Sequence, residues 1–155
     1  QRTILGKEFS AVNLPSELSL QHCLECGLPQ YPPAELCGNC LSPKLRYRET
    51  TGEGELLAVS ELRHSLWEYF KRRIRQKPWY IGSVRLDLGP VMLVHIGDSD
   101  LKSGDRVRVF SHLDVSLSAV LIAIPAGYQT SSKADRSAVI SQLGLDVPAE
   151  REGGL

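Results

Sequence analysis

The chain has 155 residues, with 18 lysines and arginines against 18 aspartates and glutamates, so its formal charge is zero. That length holds one ordinary domain, or a small module plus a domain of about 100 residues, and the balanced charge argues against a chain-wide polyanion binder. The apolar runs are strand-sized, far short of the roughly 20 residues that span a bilayer as a helix.

Residues 1–20 carry scattered apolar positions (Phe9, Val12, Leu14, Leu18, Leu20) with Pro15 among them, and show no sustained period. They read as a lead-in segment. Residues 21–46 hold every cysteine of the chain, as Cys23-Leu24-Glu25-Cys26 and Cys37-Gly38-Asn39-Cys40 with ten residues between the pairs. Each C-x-x-C pair can wrap two sulfurs around one face of an ion, and the short spacer lets the second pair close a tetrahedron at about 2.3 Å per Zn–S bond. A shell of four thiolates leaves no position for substrate, so the expected metal is one structural zinc ion.

Other readings of these cysteines fit less well. Two disulfides need an oxidising compartment, and no secretory apolar segment is seen, so the expected location is cytoplasmic. A rubredoxin-type iron site uses a much longer spacer, and a thioredoxin-like pair needs a βαβ context that neither pair has. The spacer itself carries Pro29, Pro32 and Pro33 and cannot be a helix interior. Such a ribbon is too small to hold a core, so the metal supplies its folding energy. His22, beside the first ligand, is placed to orient a thiolate.

From 47 to 126 the signals are those of strands. Leu56–Leu62, Tyr80–Leu88, Val91–Ile96, Arg106–Phe110 and Ala119–Ile124 are short apolar or alternating runs parted by Gly-Pro, Gly-Asp and Ser-Gly-Asp turns. In the fourth run Val107 and Val109 face one way, and Arg106, Arg108 and Phe110 the other. Gly52-Glu53-Gly54 permits the sharp bend that a closed barrel needs at its corner. The predicted fold is mainly β, an N-terminal zinc ribbon followed by a five-stranded OB-fold barrel.

One long stretch, His64 to Lys77, interrupts the strands. On a helical wheel Leu66, Trp67, Tyr69, Phe70 and Ile74 share one side and Glu68, Lys71, Arg72 and Arg75 the other, so an inserted amphipathic helix is predicted, ended by Pro78. Lys71, Arg72, Arg73, Arg75 and Lys77 complement the negative end of that helix. Five cations in seven residues also suit a phosphate-bearing ligand or an acidic protein surface, and Trp79 and Tyr80 next door suit stacking on a base. A solvated helix face accounts for the same residues.

Residues 127–155 form a C-terminal tail. Ser131 to Asp135 offers a helix start, Ala138, Val139, Ile140 and Leu143 an apolar side, and Gly144 a stop. A helix this short needs tertiary help, and a partner subunit is the expected source. The sequence has no G-x-S-x-G elbow, no G-x-x-x-x-G-K-[ST] loop and no G-x-G-x-x-G after a strand. His22, His64, His95 and His112 are isolated, and His95, within an apolar strand, reads as a core or lining histidine. With all cysteines on metal, no thiol nucleophile remains, and no catalytic residue is assigned.

The ordered set Cys23-Leu24-Glu25-Cys26-Gly27, Tyr31-Pro32-Pro33, Cys37-Gly38-Asn39-Cys40, Gly52-Glu53-Gly54, Pro78-Trp79-Tyr80, Val84-Arg85-Leu86-Asp87 with Gly89, and Lys102-Ser103-Gly104-Asp105-Arg106-Val107 resembles the DUF35 family. The likeness spans about residues 18–126. Two departures stand out: Gly38 where proline is usual, and Leu41 where glycine commonly follows the last cysteine. Neither removes a ligand.

The resemblance implies a rubredoxin-like zinc ribbon, an OB-fold and an accessory role beside thiolase-superfamily enzymes, similar to the small subunit of benzoylsuccinyl-CoA thiolase or of steroid side-chain aldolases. It implies a hetero-oligomer in which the partner supplies the catalytic residues for thiolytic cleavage of a β-ketoacyl-CoA or retro-aldol cleavage of a hydroxyacyl-CoA. The CoA ester would then be a ligand of the complex, with its phosphates and adenine near Lys71, Arg72, Arg73, Arg75, Lys77, Trp79 and Tyr80. A nucleic-acid-binding ribbon and OB module is the rival class, and neutral charge and few aromatics weigh against it. A free-standing acyl-CoA carrier is a third.

Overall fold

The structure, a computed structural model, describes residues 3–13, 17–64, 79–96, 100–113, 119–128 and 133–142. Within them β1 (Ser19–Cys23), β2 (Pro29–Gln30) and β3 (Leu45–Glu49) form an antiparallel sheet of order β2-β1-β3. Five longer strands, β4 (Glu53–Leu62), β5 (Trp79–Leu86), β6 (Val91–His95), β7 (Arg106–Leu113) and β8 (Ala119–Pro125), close a barrel of order β4-β5-β6-β8-β7. The closing pairs are parallel His95↔Ile122 between β6 and β8, and antiparallel Glu53↔Arg108 to Glu55↔Arg106 between β4 and β7. This is the five-stranded Greek-key barrel of the OB-fold. All five predicted strands are present, with β4 and β7 running a few residues beyond the predicted bounds. The helix predicted over His64–Lys77 lies outside the described residues from 65 onward.

Alternation builds the barrel interior. Leu56, Val84, Leu86, Met92, Val94, Ile96, Val107, Val109, Leu121 and Ala123 all point inward and are buried in one cluster. The corner glycines do what the barrel requires of them. Gly52 has φ +69°, and a Cβ there would collide with the Val109 carbonyl; a Cβ on Gly54 would come within 2.5 Å of Arg85 O. Side chains at either position would force β4 away from its neighbours just where it pairs with both. A bulge between Leu56 and Ala58 is held by the turn that precedes β7: Gly104 N–H donates to Leu56 O at 2.8 Å, and Ser103 Oγ–H to Leu57 O at 2.7 Å.

Phe110 points away from Val107 and Val109, as the alternation predicts, yet it is buried. It packs with Trp79, Ile122 and Ile124 on the outer wall of the barrel, under Val139 and Ile140 of helix α2 (Lys133–Gln142). The described part of the tail therefore finds its tertiary help in the chain's own barrel, where the sequence had pointed to a partner. A salt-bridged carboxylate adds to it: Glu17 meets Arg136 of α2 at 2.9 Å and Arg108 of β7 at 3.2 Å.

The lead-in also departs from expectation, because it forms helix α1 (Ile4–Val12). Thr3 caps it, its hydroxyl accepting from Gly6 N–H at 3.1 Å. Leu5, Phe9 and Val12 stand at i, i+4 and i+7, a short helical stripe of which only Phe9 is buried. Phe9 leans on Tyr31 and Tyr47 with ring centroids 5.6 and 6.5 Å apart. At the helix end Asn13 is fully buried and fully engaged. Its Nδ2 donates to Phe9 O and Ser19 O, its Oδ1 accepts from Ser19 N–H, and its carbonyl accepts from Ser111 Oγ–H. Helix, ribbon and barrel thus meet at one amide, and Leu18 and Leu20, both wholly buried, continue the barrel core into the ribbon. Among the described residues no helix is long and apolar enough to cross a membrane.

Candidate metal centre

Two tight turns present the four sulfurs, and both are wired alike. In the first, Gly27 N–H donates to Cys23 O at 2.9 Å and Cys23 N–H to Leu28 O at 3.0 Å; in the second, Leu41 N–H donates to Cys37 O at 3.0 Å and Cys37 N–H to Ser42 O at 2.9 Å. The fifth residue of each turn has left-handed backbone, Gly27 at φ +76° and Leu41 at φ +60°. Leu41 therefore sits where the turn asks for glycine. A Cβ in that region costs about 1 kcal/mol or more, which explains why glycine commonly follows the last cysteine. Gly38, by contrast, needs no left-handed backbone, and its N–H, which proline would lack, is used: it donates to Gln30 Oε1 at 3.0 Å.

Cys23 Sγ lies 3.5 Å from Cys40 Sγ, Cys26 Sγ lies 3.5 Å from Cys37 Sγ, and all four sulfurs are within 4.8 Å of one another. A tetrahedron with Zn–S bonds of about 2.3 Å has sulfur–sulfur edges of about 3.8 Å, so the cluster has the size of a zinc site. Cys23 and Cys37 are buried and Cys26 and Cys40 exposed, each turn giving one inner and one outer ligand. Electrostatics agree with a cation at the centre. The Leu28 backbone and then the Asn39 side chain hold the Cys26 thiol down at about 6. At Cys40 the Ser42 backbone favours the thiolate, but the sulfurs of Cys23, Cys26 and Cys37 together with desolvation outweigh it and push the thiol up to about 12. Four thiolates this close ionise together only when a divalent ion neutralises them. The donor set and its spacing fit zinc, held by Cys23, Cys26, Cys37 and Cys40.

His22 turns away from this cluster, its Nδ1 meeting Leu20 O at 3.1 Å. It supports β1 and orients no thiolate.

The second predicted group is only partly within the described residues. Lys71, Arg72, Arg73, Arg75 and Lys77 fall outside them. Trp79 opens β5 with 1 % exposure, and its indole N–H donates to His95 Nδ1 at 2.8 Å, the rings meeting edge to face. His95 is itself buried, as the sequence predicts for a core or lining histidine. Tyr80, on the other side of the strand, is exposed. Only the second member of the predicted aromatic pair has a surface to offer a ligand here, since neighbouring strand residues face opposite ways.

With this geometry in place, comparison with known proteins is decisive on family. Residues 15–46 match a family profile described as the rubredoxin-like zinc ribbon domain of ChsH2, and residues 47–110 match the C-terminal OB-fold domain of ChsH2. The chain belongs to the ChsH2 (DUF35) family. Among solved structures, a chain described as "Ltp2-ChsH2(DUF35) aldolase" is similar, with a TM-score of 0.59 and 19 % identity over 71 % of this chain and 85 % of that one. At that identity the likeness speaks for the shared ChsH2 fold. No curated protein sequence matches the chain.

Proposed function

We propose that this chain is the non-catalytic zinc-binding subunit of a hetero-oligomeric, thiolase-type complex acting on an acyl-CoA, where it stabilises the catalytic subunit and helps shape the acyl-CoA path. The observation that carries this reading is the adjacent pair of ChsH2 domain matches over residues 15–110. A ribbon whose cysteines all face one metal adds a physical reason to place the chemistry on a partner. The similar solved structure is described as an aldolase, which favours retro-aldol cleavage of a hydroxyacyl-CoA over thiolytic cleavage of a β-ketoacyl-CoA. Exposed apolar side chains, Leu28 and Leu88 at the ribbon–barrel junction and Val91 and Leu93 on β6, support a partner-covered surface. Leu28 and Leu88 line an open groove of about 390 Å³ between the two modules.

In this reading Lys71, Arg72, Arg73, Arg75 and Lys77 meet the CoA phosphates, and exposed Tyr80 meets its adenine. Trp79 contributes from beneath, by holding the start of β5 through His95. Affinity purification from the native source, with identification of the co-purifying chain, tests the complex. A thiolase-superfamily chain is expected. Recovery of nucleic acid alone, with binding that weakens steeply as salt rises, establishes the rival nucleic-acid reading instead. Within the complex, Arg72→Ala with Arg75→Ala is expected to raise KM for the CoA substrate several-fold with kcat little changed, the sign of lost ground-state binding.

A further inference from the structure

The two turns of the zinc site share their internal wiring but are anchored to the fold in different ways. The first continues directly from β1: Cys23 lies opposite Leu45 in the β1–β3 ladder, and Leu24 N–H donates to Lys44 O at 2.9 Å. An exposed ion pair, Lys44 Nζ to Glu25 Oε1 at 2.6 Å, spans the same junction. The second turn belongs to no strand. It follows a proline-bearing spacer, has leucine in its left-handed position, and is exposed at Gly38, Asn39, Cys40 and Leu41.

A chain of two amides crosses that gap. Gln21, buried in β1, accepts Ala34 N–H on Oε1 at 2.9 Å and returns Nε2–H to Ala34 O at 3.1 Å, pinning the spacer. Gln30, opposite it in β2, donates from Nε2 to Gln21 Oε1 at 3.0 Å and to Leu36 O at 3.3 Å, and its own Oε1 receives Gly38 N–H at 3.0 Å. Each amide is used at both ends. The relay therefore runs from the β1 core to the residue directly after Cys37, where a rotation of the backbone would swing the Cys37 and Cys40 sulfurs off the tetrahedron.

We infer that Gln30 is a positioning residue for the metal, pre-organising the Cys37–Cys40 half-site through the Gly38 N–H. Groups behind the ligands of a metal site hold the ligands in register, and losing one typically costs 10–100-fold in metal affinity. The Cys37–Cys40 half is the labile one, and zinc leaves by its opening.

The test is zinc release from the purified full chain to excess chelator, followed with a chromogenic zinc indicator. Gln30→Ala is expected to release zinc about tenfold faster, while thermal unfolding of the barrel is unchanged. Glu25→Ala, which removes the ion pair at the first turn, is expected to stay within twofold of the parent. In a Gly38→Pro background, where the N–H is gone and the backbone is stiffened, Gln30→Ala is expected to have less than a threefold effect. Hydrogen exchange should show the 37–42 amides loosening in Gln30→Ala ahead of the 23–28 amides. Release from Gln30→Ala within twofold of the parent, or an equal acceleration by Glu25→Ala, overturns the inference. So does a Gln30→Ala effect that persists undiminished in the proline background.

Discussion

The ribbon and the barrel of this chain are folded by different forces. In the barrel, apolar side chains repeat at every second residue and fill a closed interior from Leu56 to Ala123, so the hydrophobic effect specifies both the strands and their register. The ribbon's sheet has three short strands, and Leu24, Leu28, Leu36 and Leu41 around its turns are exposed. Its specification comes from four sulfurs and the backbone bonds that aim them. One region is held by many weak, interchangeable contacts, and the other by a few strong ones that cannot be exchanged.

Removing the metal should break the comparison most sharply. Structural zinc in a small module supplies on the order of 10–16 kcal/mol near neutral pH. Chelation, or Cys37→Ser, is expected to unfold residues 21–46 while the barrel keeps its β signal in circular dichroism. The barrel's own midpoint should also fall, because Leu18, Leu20, Tyr31 and Tyr47 pack on its core from the ribbon side. A cooperative loss of both regions at once would mean that the two are a single folding unit. Acid should act in the same direction as chelation, since the thiolates must be deprotonated to hold the ion.

The corresponding lesion in the barrel is smaller. Gly54→Ala places a methyl against Arg85 O and the Val84 side chain between two paired strands, an overpacking that costs about 3 kcal/mol. Thermal unfolding should register it, with zinc content of the folded protein unchanged. A loss of zinc in this variant would show that barrel closure supports the ribbon.

Both regions were legible in the sequence to the degree that their forces leave a pattern. The zinc ligands stand in fixed C-x-x-C spacing, and β4 to β8 carry alternation broken by glycine turns. The misses share one cause, which is burial created by distant contacts. Helix α1 buries a single residue, Phe9, and its stripe of Leu5, Phe9 and Val12 is too short to stand out. Phe110 and Trp79 lie on the outer face of their strands, and sequence alone gives no sign that α2 and His95 cover that face. Trp79 beside a basic run thus resembled a ligand contact although it is wall. Gln21 and Gln30 were invisible for another reason: a polar residue with all its hydrogen-bonding groups used looks, in sequence, like any surface glutamine.

The left-handed position at the second turn offers a finer comparison, within the ribbon. Leu41 is 69 % exposed at φ +60°, so its side chain gains little from packing while its backbone bears the strain. Leu41→Gly is expected to recover about 1 kcal/mol in the metal-bound state, read as slower zinc release and a higher ribbon midpoint, with the barrel untouched. Ala at the same position should not recover it, because alanine keeps the Cβ. Equal gains from glycine and alanine would trace the effect to the exposed leucine side chain and not to the backbone.

The smallest expected effect belongs to the surface of the barrel. Arg106 donates to both oxygens of Asp87, at 2.9 and 2.6 Å, joining β7 to the turn after β5 across the end of β4. The guanidinium bonds hold the Asp87 carboxyl below the usual carboxylate range. A carboxylate whose folded value is depressed contributes stability above its unfolded value of about 3.9, and that contribution disappears as pH falls through the lower folded value. Asp87→Asn should therefore lower the barrel midpoint slightly at pH 7 and by less as pH falls below the usual carboxylate range, and about 1 M salt should shrink the difference, because the pair is half exposed and screened. Zinc binding makes the same demand on the ribbon, because its four thiolates must also stay deprotonated to hold the ion, and a thiolate takes up a proton more readily than a carboxylate. The two regions then separate on a pH axis as they do under chelation: the ribbon fails first on acidification, and the Asp87 clasp is lost only when the metal has already gone.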